Sequence, residues 1–233
     1  MCAIFGSPDF NDFKYLYEAN ISRGCAAFGM IHMNTLKQPS TVTGLKIEGK
    51  VDFSKEINYS DHTFMVRKTS QQHSFYVGHT QAPTSAAQIF KPKTSHPFMW
   101  KNWVVAHNGV LTDYETLLDK LDPQSYNIVD SSVIPALLDY YNTTSKEGEA
   151  DIILKVLGML KGTYSLWIYN ILSGNFYISR CGSTLFRDEN GLKFSTLQQP
   201  GMVEVEDGSL YLKGDNEFIK TGSFKSNSPF FIL

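Results

Sequence analysis

The spacing of apolar residues changes character several times along the chain. It opens with a short apolar run, CAIF at residues 2–5, whose length suits a buried strand. Phe10, Phe13, Leu16 or Tyr17, and Ile21 then recur every three to four residues, which predicts a helix with one buried face. Ser7, Pro8 and Asp9 suit its start, because a short polar side chain can accept from the free N–H groups of a first turn. Residues 25–33 read as a second buried strand. Residues 34–62 are polar and read as irregular, apart from a hairpin across Glu48-Gly49 between residues 45–47 and 51–53. HSFYVGHT, at 73–80, predicts another strand, and a loop with Pro83, Pro92 and Pro97 follows over 81–97. A loop of that length in a compact chain is usually a lid or a binding loop.

The second half alternates differently. A strand over 102–107 runs into Asn108-Gly109. Thr112 with Glu115 three residues on is a capping-box pattern, and predicts a helix that buries Tyr114, Leu117, Leu118 and Leu121. A further helix starts at Asp130-Ser131 and buries Ile134, Leu137, Leu138 and Tyr141. Pro135 fits its first turn, where backbone N–H groups lack partners anyway. Residues 149–160 place Ile152, Ile153, Val156, Leu157 and Leu160 on one helical face, with Gly162 just beyond. From residue 163 the pattern becomes TYSLWIYN, NFYISR, LKFSTL, MVEVED and SLYLKG, a meander of antiparallel strands. Strands, then helices, then strands predict an α+β chain in which sheets pack together with helices outside. No linker-like shift divides it, so residues 1–233 are expected to form a single domain.

Composition narrows the function classes. With 42% hydrophobic residues and a net charge of −2, a core can form, and a strong basic footprint for nucleic acid or an anionic membrane is missing. No apolar run approaches the roughly 20 residues that span a bilayer, and the start lacks a signal-peptide layout. A soluble, cytoplasmic protein is expected. The odd, sparse set of Cys2, Cys25 and Cys181 argues against a disulfide framework and fits a reducing compartment. Cys25 and Cys181 fall in predicted strands and read as small buried hydrophobes. His79 and His96 have no Cys, His or Asp cluster at ligand spacing, so packing roles are expected and a metal is not. Ser85 and Ser95 lack the context of a serine nucleophile.

Two short stretches carry chemistry. MCAIFG places a cysteine directly behind Met1. That cysteine can be a small core residue, or, once Met1 is removed, a residue bearing both a thiol and a free α-amine. An α-amine has a reference pKa of about 7.7–8.0 and a thiol about 8.5, so nucleophile and base would sit on one residue. Attack on a carbonyl generates an oxyanion that must be stabilised. AHNGV, at 106–110, offers the Asn108 carboxamide and the N–H of Gly109, where no Cβ blocks approach. An Asn-Gly pair can equally be a plain turn.

Taken together these blocks resemble the class II glutamine amidotransferases, the glutaminase domain of the N-terminal-nucleophile hydrolases. MCAIFG resembles the family's opening, ISRGCAAFGM its Arg-Gly strand, and GHTQAPTS its Gly-His loop. HPF followed by AHNGVLTDYETL matches its most specific block. VDSSVI, GTYSLWIYN and FYISRCGSTLF follow in the family's order. The resemblance implies a four-layer αββα sandwich and hydrolysis of L-glutamine to glutamate and ammonia through a γ-glutamyl thioester, with no cofactor. It assigns Cys2 as nucleophile, Asn108 and Gly109 as the oxyanion hole, and Asp130 as partner of the substrate α-ammonium; a helix cap is the other reading of Asp130. Gln81, Thr80, Thr84 and His107 fall among the substrate-binding positions, and Arg23 braces the nucleophile's strand. Three positions depart from the pattern. Gln81 stands where the family has a carboxylate-clamping arginine, which leaves Arg67, Lys91 or Lys93 as substitute cations. Ala3 stands for Gly and Ser132 for Glu. The departures leave open an amidase for another γ-glutamyl or related amide, and a non-catalytic regulatory subunit of the same fold. The chain ends soon after the last motif and has no phosphate-binding GxxxxGK[ST] loop, so a separate ammonia-accepting synthetase partner is expected.

Overall fold

The structure is a computed structural model and describes residues 1–34, 40–53, 64–68, 74–82, 91, 94–112, 114–126 and 129–225. Its strands are β1 (Ala3–Ser7), β2 (Ala27–Asn34), β3 (Ser40–Glu48), β4 (Phe64–Lys68), β5 (Phe75–Gln81), β6 (Phe98–Trp100), β7 (Trp103–Thr112), β8 (Lys161–Asn170), β9 (Phe176–Cys181), β10 (Phe186–Asp188), β11 (Phe194–Ser195), β12 (Met202–Glu204), β13 (Ser209–Lys213) and β14 (Phe218–Ser223). The helices are α1 (Phe10–Asn20), α2 (Val133–Thr144) and α3 (Glu149–Met159). One eight-stranded sheet runs β12-β10-β11-β1-β5-β2-β3-β4, and a six-stranded sheet runs β14-β13-β9-β8-β7-β6. Among the described residues the ladders between these strands are antiparallel.

Three apolar clusters set the layering. Phe13, Leu16 and Tyr17 of α1 pack with Phe5, Phe28 and Leu45 on the outer face of the larger sheet. Asp9 caps that helix by accepting from the N–H groups of Asn11 and Asp12 at 2.8 and 2.9 Å. On the other side, Leu137, Leu138, Ile153 and Leu157 of α2 and α3 cover Val105, Leu166 and Tyr177 of the smaller sheet. Between the sheets lie Ile4, Ile31, Phe75 and Val77, against Val104, Ala106, Trp167 and Ile178. The result is the αββα sandwich that the sequence resemblance implies.

The middle layer is graded, and the gradient places the site. Along β5 the inward positions run Phe75, Val77, His79, Gln81; along β2, Met33, Ile31, Gly29, Ala27. In the facing sheet, Val104 and Ala106 give way to Asn108, Trp167 to Ser165, and Ile178 to Arg180. One end of the layer is therefore hydrocarbon and the other polar. Burial alone would fill both ends with apolar side chains, so the polar end is where chemistry is to be sought.

Several expectations need correction. Residues 34–62 are not irregular throughout, because β3 occupies nine of them and pairs with β2 and β4. The hairpin at Glu48-Gly49 is absent: residues 49–53 leave the sheet, and Val51 and Phe53 pack on the α1 cluster instead. Thr112 does not open a helix; it ends β7, and a 3₁₀ turn over Tyr114–Lys120 follows. The final meander is split between sheets, since β10, β11 and β12 join the sheet of β1 while β13 and β14 extend that of β9. Cys25 precedes β2 and is exposed, whereas Cys181 is buried. Part of the 81–97 loop, with Thr84, Ser85 and Lys93, lies outside the described residues, as does the side chain of Arg67.

Candidate active site

Cys2 sits at the head of β1, the strand between β5 and β11. Ala3 opposes Thr80, so one further step brings Cys2 alongside Gln81. Its Sγ lies 3.9 Å from the carbonyl oxygen of Ala82. Its own carbonyl accepts from Nε of Arg23 at 3.0 Å, which ties the strand head to the turn after α1. Next along the strand, Thr196 grips Ile4 twice: Oγ1 accepts from the Ile4 N–H at 2.8 Å and donates to the Ile4 carbonyl at 2.9 Å. The position of the thiol is thus set by backbone contacts on both sides. Met1, the residue that would be removed to free Cys2, is 79% exposed. Burial pushes the Cys2 thiol above its ordinary pKa and the charge of Asp130 adds to this; the terminal ammonium and Arg23 act in the opposite sense.

β1 lies across the layer from β7 and β8. Asn108 and Gly109 are not a turn, since β7 continues through them to Thr112, paired with β8. Gly109 has φ +146°, and a Cβ there would stand 2.0 Å from the Thr163 carbonyl, so no side chain fits. The residue is exposed, leaving its backbone accessible. Asn108 is buried, and its Nδ2 donates to Oγ of Ser165 at 3.1 Å and towards Oγ of Ser183 at 3.5 Å.

Asp130 starts the 3₁₀ turn that leads into α2. One carboxylate oxygen accepts from the Leu111 N–H at 2.9 Å, fastening the turn to β7; the other accepts from the N–H of Ser131 at 2.7 Å and its hydroxyl at 3.0 Å. Ser131 Oγ in turn lies 2.7 Å from Nδ1 of His107. With the hydroxyl donating to the carboxylate, Nδ1 of His107 carries the proton that completes a chain from imidazole to Asp130. A carboxylate offers about four acceptor sites, so Asp130 keeps capacity for a ligand cation.

Of the other sequence-derived positions, Gln81 is buried and faces the polar end of the layer. Its Nε2 points at the Thr94 carbonyl, 3.5 Å away, and its Oε1 has no partner among the described residues. Thr80 is on the opposite face of β5, the face shared with Ala3 and Phe28, so it stands apart from this group. The side chain of His107 is directed to the α2 side by Ser131. His79 and His96 are buried with ring centroids 4.0 Å apart, and Nε2 of His79 lies 3.2 Å from the His107 carbonyl, bridging the two sheets. Gly29 allows this packing: a Cβ there would stand 1.9 Å from the His96 carbonyl. Lys46, opposite Gly29 on β3, completes the group, and burial lowers its pKa to about 8. Lys91 is exposed. Sequence reasoning missed Ser131, Ser165, Ser183 and Lys46. Ser131, Ser165 and Ser183 lie within the blocks VDSSVI, GTYSLWIYN and FYISRCGSTLF, but nothing in those blocks marks the serines themselves, and Lys46 had no signal at all.

No family model matches the chain. It is 27% identical over 203 residues to the glutamine–fructose-6-phosphate aminotransferase (isomerizing) of Buchnera aphidicola subsp. Baizongia pistaciae, covering 83% of this chain and 31% of that protein. The enzyme of the same name from Buchnera aphidicola subsp. Acyrthosiphon pisum is 28% identical over 160 residues, 64% of this chain and 26% of its own length. Among solved structures, the allosteric regulatory enzyme of purine biosynthesis matches with a TM-score of 0.69 at 20% identity, covering 97% of this chain and 50% of that one. Glutamine phosphoribosylpyrophosphate amidotransferase from B. subtilis, complexed with ADP and GMP, matches with 0.67 at 20% identity and the same coverage. The chain spans less than a third of these curated relatives and half of these solved chains. Among the described residues no helix is long and apolar enough to cross a membrane. The chain is therefore similar in sequence to part of the glutamine–fructose-6-phosphate aminotransferases, and shares its fold with half of the glutamine phosphoribosylpyrophosphate amidotransferase chain.

Proposed function

We propose that the chain hydrolyses L-glutamine to glutamate and ammonia, with Cys2 as an N-terminal nucleophile, and passes the ammonia to a separate synthetase or amidotransferase partner. The observation that carries this reading is the placement of Cys2: a thiol at a strand head fixed by Arg23, alongside the polar end of a layer that also holds Asn108. After removal of Met1, the α-amine of Cys2 takes the thiol proton. The thiolate attacks the side-chain carbonyl carbon, and the oxyanion is met by Nδ2 of Asn108 and the N–H of Gly109. The C–N bond breaks as the α-ammonium returns a proton to the leaving nitrogen, which departs as ammonia and leaves a thioester. Water, deprotonated by the same amine, then releases glutamate. Asp130 pairs with the substrate α-ammonium. The names of the curated relatives, which use glutamine, support the substrate class.

The test combines mass and turnover. Protein freed of Met1 is expected to release ammonia from glutamine and to gain one adduct on Cys2 with diazo-oxo-norleucine. Met1-free protein that does neither overturns the reading in favour of a binding subunit. For the partner, the ammonia-release rate should rise when a co-purifying synthetase is added; a chain already fast alone, with nothing co-purifying, removes that step.

Gln81 favours a second reading. The Thr94 carbonyl can only accept, so it fixes Nε2 on its own side and turns Oε1 away. A free acceptor suits an N–H better than a carboxylate. The substrate would then be glutamine whose α-carboxyl group is held in an amide. Glutaminyl-glycine assayed beside free glutamine separates the two: a tenfold preference for the dipeptide supports the second reading, and a preference for free glutamine ends it. Gln81→Arg should raise kcat/KM for free glutamine about tenfold, mainly through KM, because a guanidinium supplies charge and a two-pronged donor. An unchanged KM would place Gln81 outside the substrate site.

A further inference from the structure

The Asn108 carboxamide has two N–H donors, and the structure engages them unequally. One points to Oγ of Ser165 at 3.1 Å; the other reaches Oγ of Ser183 only at 3.5 Å. The two serines differ in setting. Ser165 is fully buried and sits directly opposite Asn108 in the β7–β8 ladder. It also lies 3.5 Å from the Asn108 carbonyl, so its hydroxyl can accept from the side chain and donate to the main chain of the same residue. On its other flank it is paired with Arg180 of β9, whose guanidinium is held by Glu204 and by the carbonyls of Val205 and Ser183. Ser183 belongs to the loop after β9 and is half-buried. The tight contact is therefore inside the sheet, and the loose one is at its open end.

We infer that Ser165 is the positioning residue of the oxyanion hole: it holds one N–H of Asn108 so that the second, only loosely engaged by Ser183, is presented to the developing oxyanion. This rests on the proposed role of Asn108. It assigns that role a geometric cause, because a carboxamide held at one N–H cannot rotate about its terminal torsion, and the free donor has a fixed direction. Removing a whole oxyanion donor costs about 10²–10³ in rate. Loosening one that is still present should cost less, about tenfold. Ser165 touches no reacting atom, so its entire effect should pass through Asn108.

The experiment is a double-mutant cycle in Met1-processed full-length protein, with Ser165→Ala, Asn108→Ala and the double variant assayed for ammonia release. Ser165→Ala is expected to lower kcat about tenfold and leave KM within threefold. It should weaken inhibition by glutamate γ-semialdehyde, whose adduct with Cys2 bears an oxyanion, about as much, while glutamate affinity stays unchanged. In the Asn108→Ala background the same change should add nothing beyond twofold. Melting curves report folding, and Ser165→Cys, of similar shape but a poor acceptor, takes the place of an unstable alanine variant. A near-wild-type kcat in the Ser165 variants overturns the inference alone. So does a tenfold loss that persists without the Asn108 side chain. If Asn108→Ala itself turns over at the wild-type rate, the oxyanion-hole reading falls and the inference falls with it.

Discussion

Cys2→Ala is expected to lower ammonia release from glutamine by at least about 10³-fold, with the melting temperature within a few degrees of wild type. The two halves of this expectation have separate causes. Activity is lost because no neighbouring group can replace the sulfur: the scheme needs nucleophile and amine on one residue, and alanine keeps only the amine. Stability is kept because the strand head is anchored through its main chain. Arg23 bonds the carbonyl of residue 2, and Thr196 bonds the N–H and carbonyl of Ile4, and none of these contacts uses the thiol. Cys2→Ser should also be severely slowed, since a hydroxyl is far harder to deprotonate with an amine of pKa near 8. A third arm separates the thiol from its setting. Protein that retains Met1 keeps the sulfur, but burial and Asp130 hold its pKa up, and its α-amine lies one residue away. Retained Met1 should therefore leave the protein as slow as the alanine variant. Turnover above a tenth of wild type from either Cys2→Ala or Met1-retaining protein would sink the N-terminal-nucleophile mechanism.

The sequence disclosed the outer layers better than the inner one. The helices were legible because α1 and α3 each present one apolar face at regular spacing, and Asp9 marks one start. β3 escaped notice because its inward positions run Val42, Gly44, Lys46, Glu48, so the alternation that announces a strand fades towards the site. The same fading on β5, from Phe75 to Gln81, was readable only because HSFYVGHT still contains enough apolar residues. β7 was cut short at Asn108 for a related reason. A glycine at φ +146° inside a ladder is set by the close Thr163 carbonyl, a contact 54 positions away in sequence and invisible to local pattern. Cys2, Asn108, Gly109 and Asp130 were singled out because the motifs around them are specific. Ser165 is one hydroxyl in an otherwise apolar strand and Ser131 one of two adjacent serines after Asp130, and only strand register and the start of α2 reveal what they hold.

The polar end of the middle layer carries a second large consequence, for stability rather than turnover. His79 and His96 are buried there with ring centroids 4.0 Å apart, His107 is buried on the α2 side with its ring 6.3 Å from that of His96, and all three have pKa values pushed down, chiefly by burial. For His79 the value falls to about 3, with His107 and Lys46 acting in the same direction. For His107 the nearby Asp130 pulls the other way without reversing the shift. An imidazole with a depressed folded-state pKa takes up a proton more readily when the chain unfolds. Its contribution to stability is intact above the unfolded value of about 6.5, and is lost as pH falls from there towards the folded value. Between pH 7 and pH 5 that loss is about 2 kcal/mol for His79 alone, and His96 and His107 add to it with the same sign. Urea denaturation at pH 7, 6 and 5 should show this as a steep fall in midpoint across a range where most carboxylates remain ionised. His79→Gln keeps a donor for the His107 carbonyl but cannot titrate, so it should recover about 2 kcal/mol of the pH 7-to-5 difference, whatever its stability at pH 7. A wild-type midpoint that stays flat over those two units would mean that the three rings either are hydrated or share a proton in the folded chain, and the packed, neutral triad bridging the two sheets would have to be abandoned.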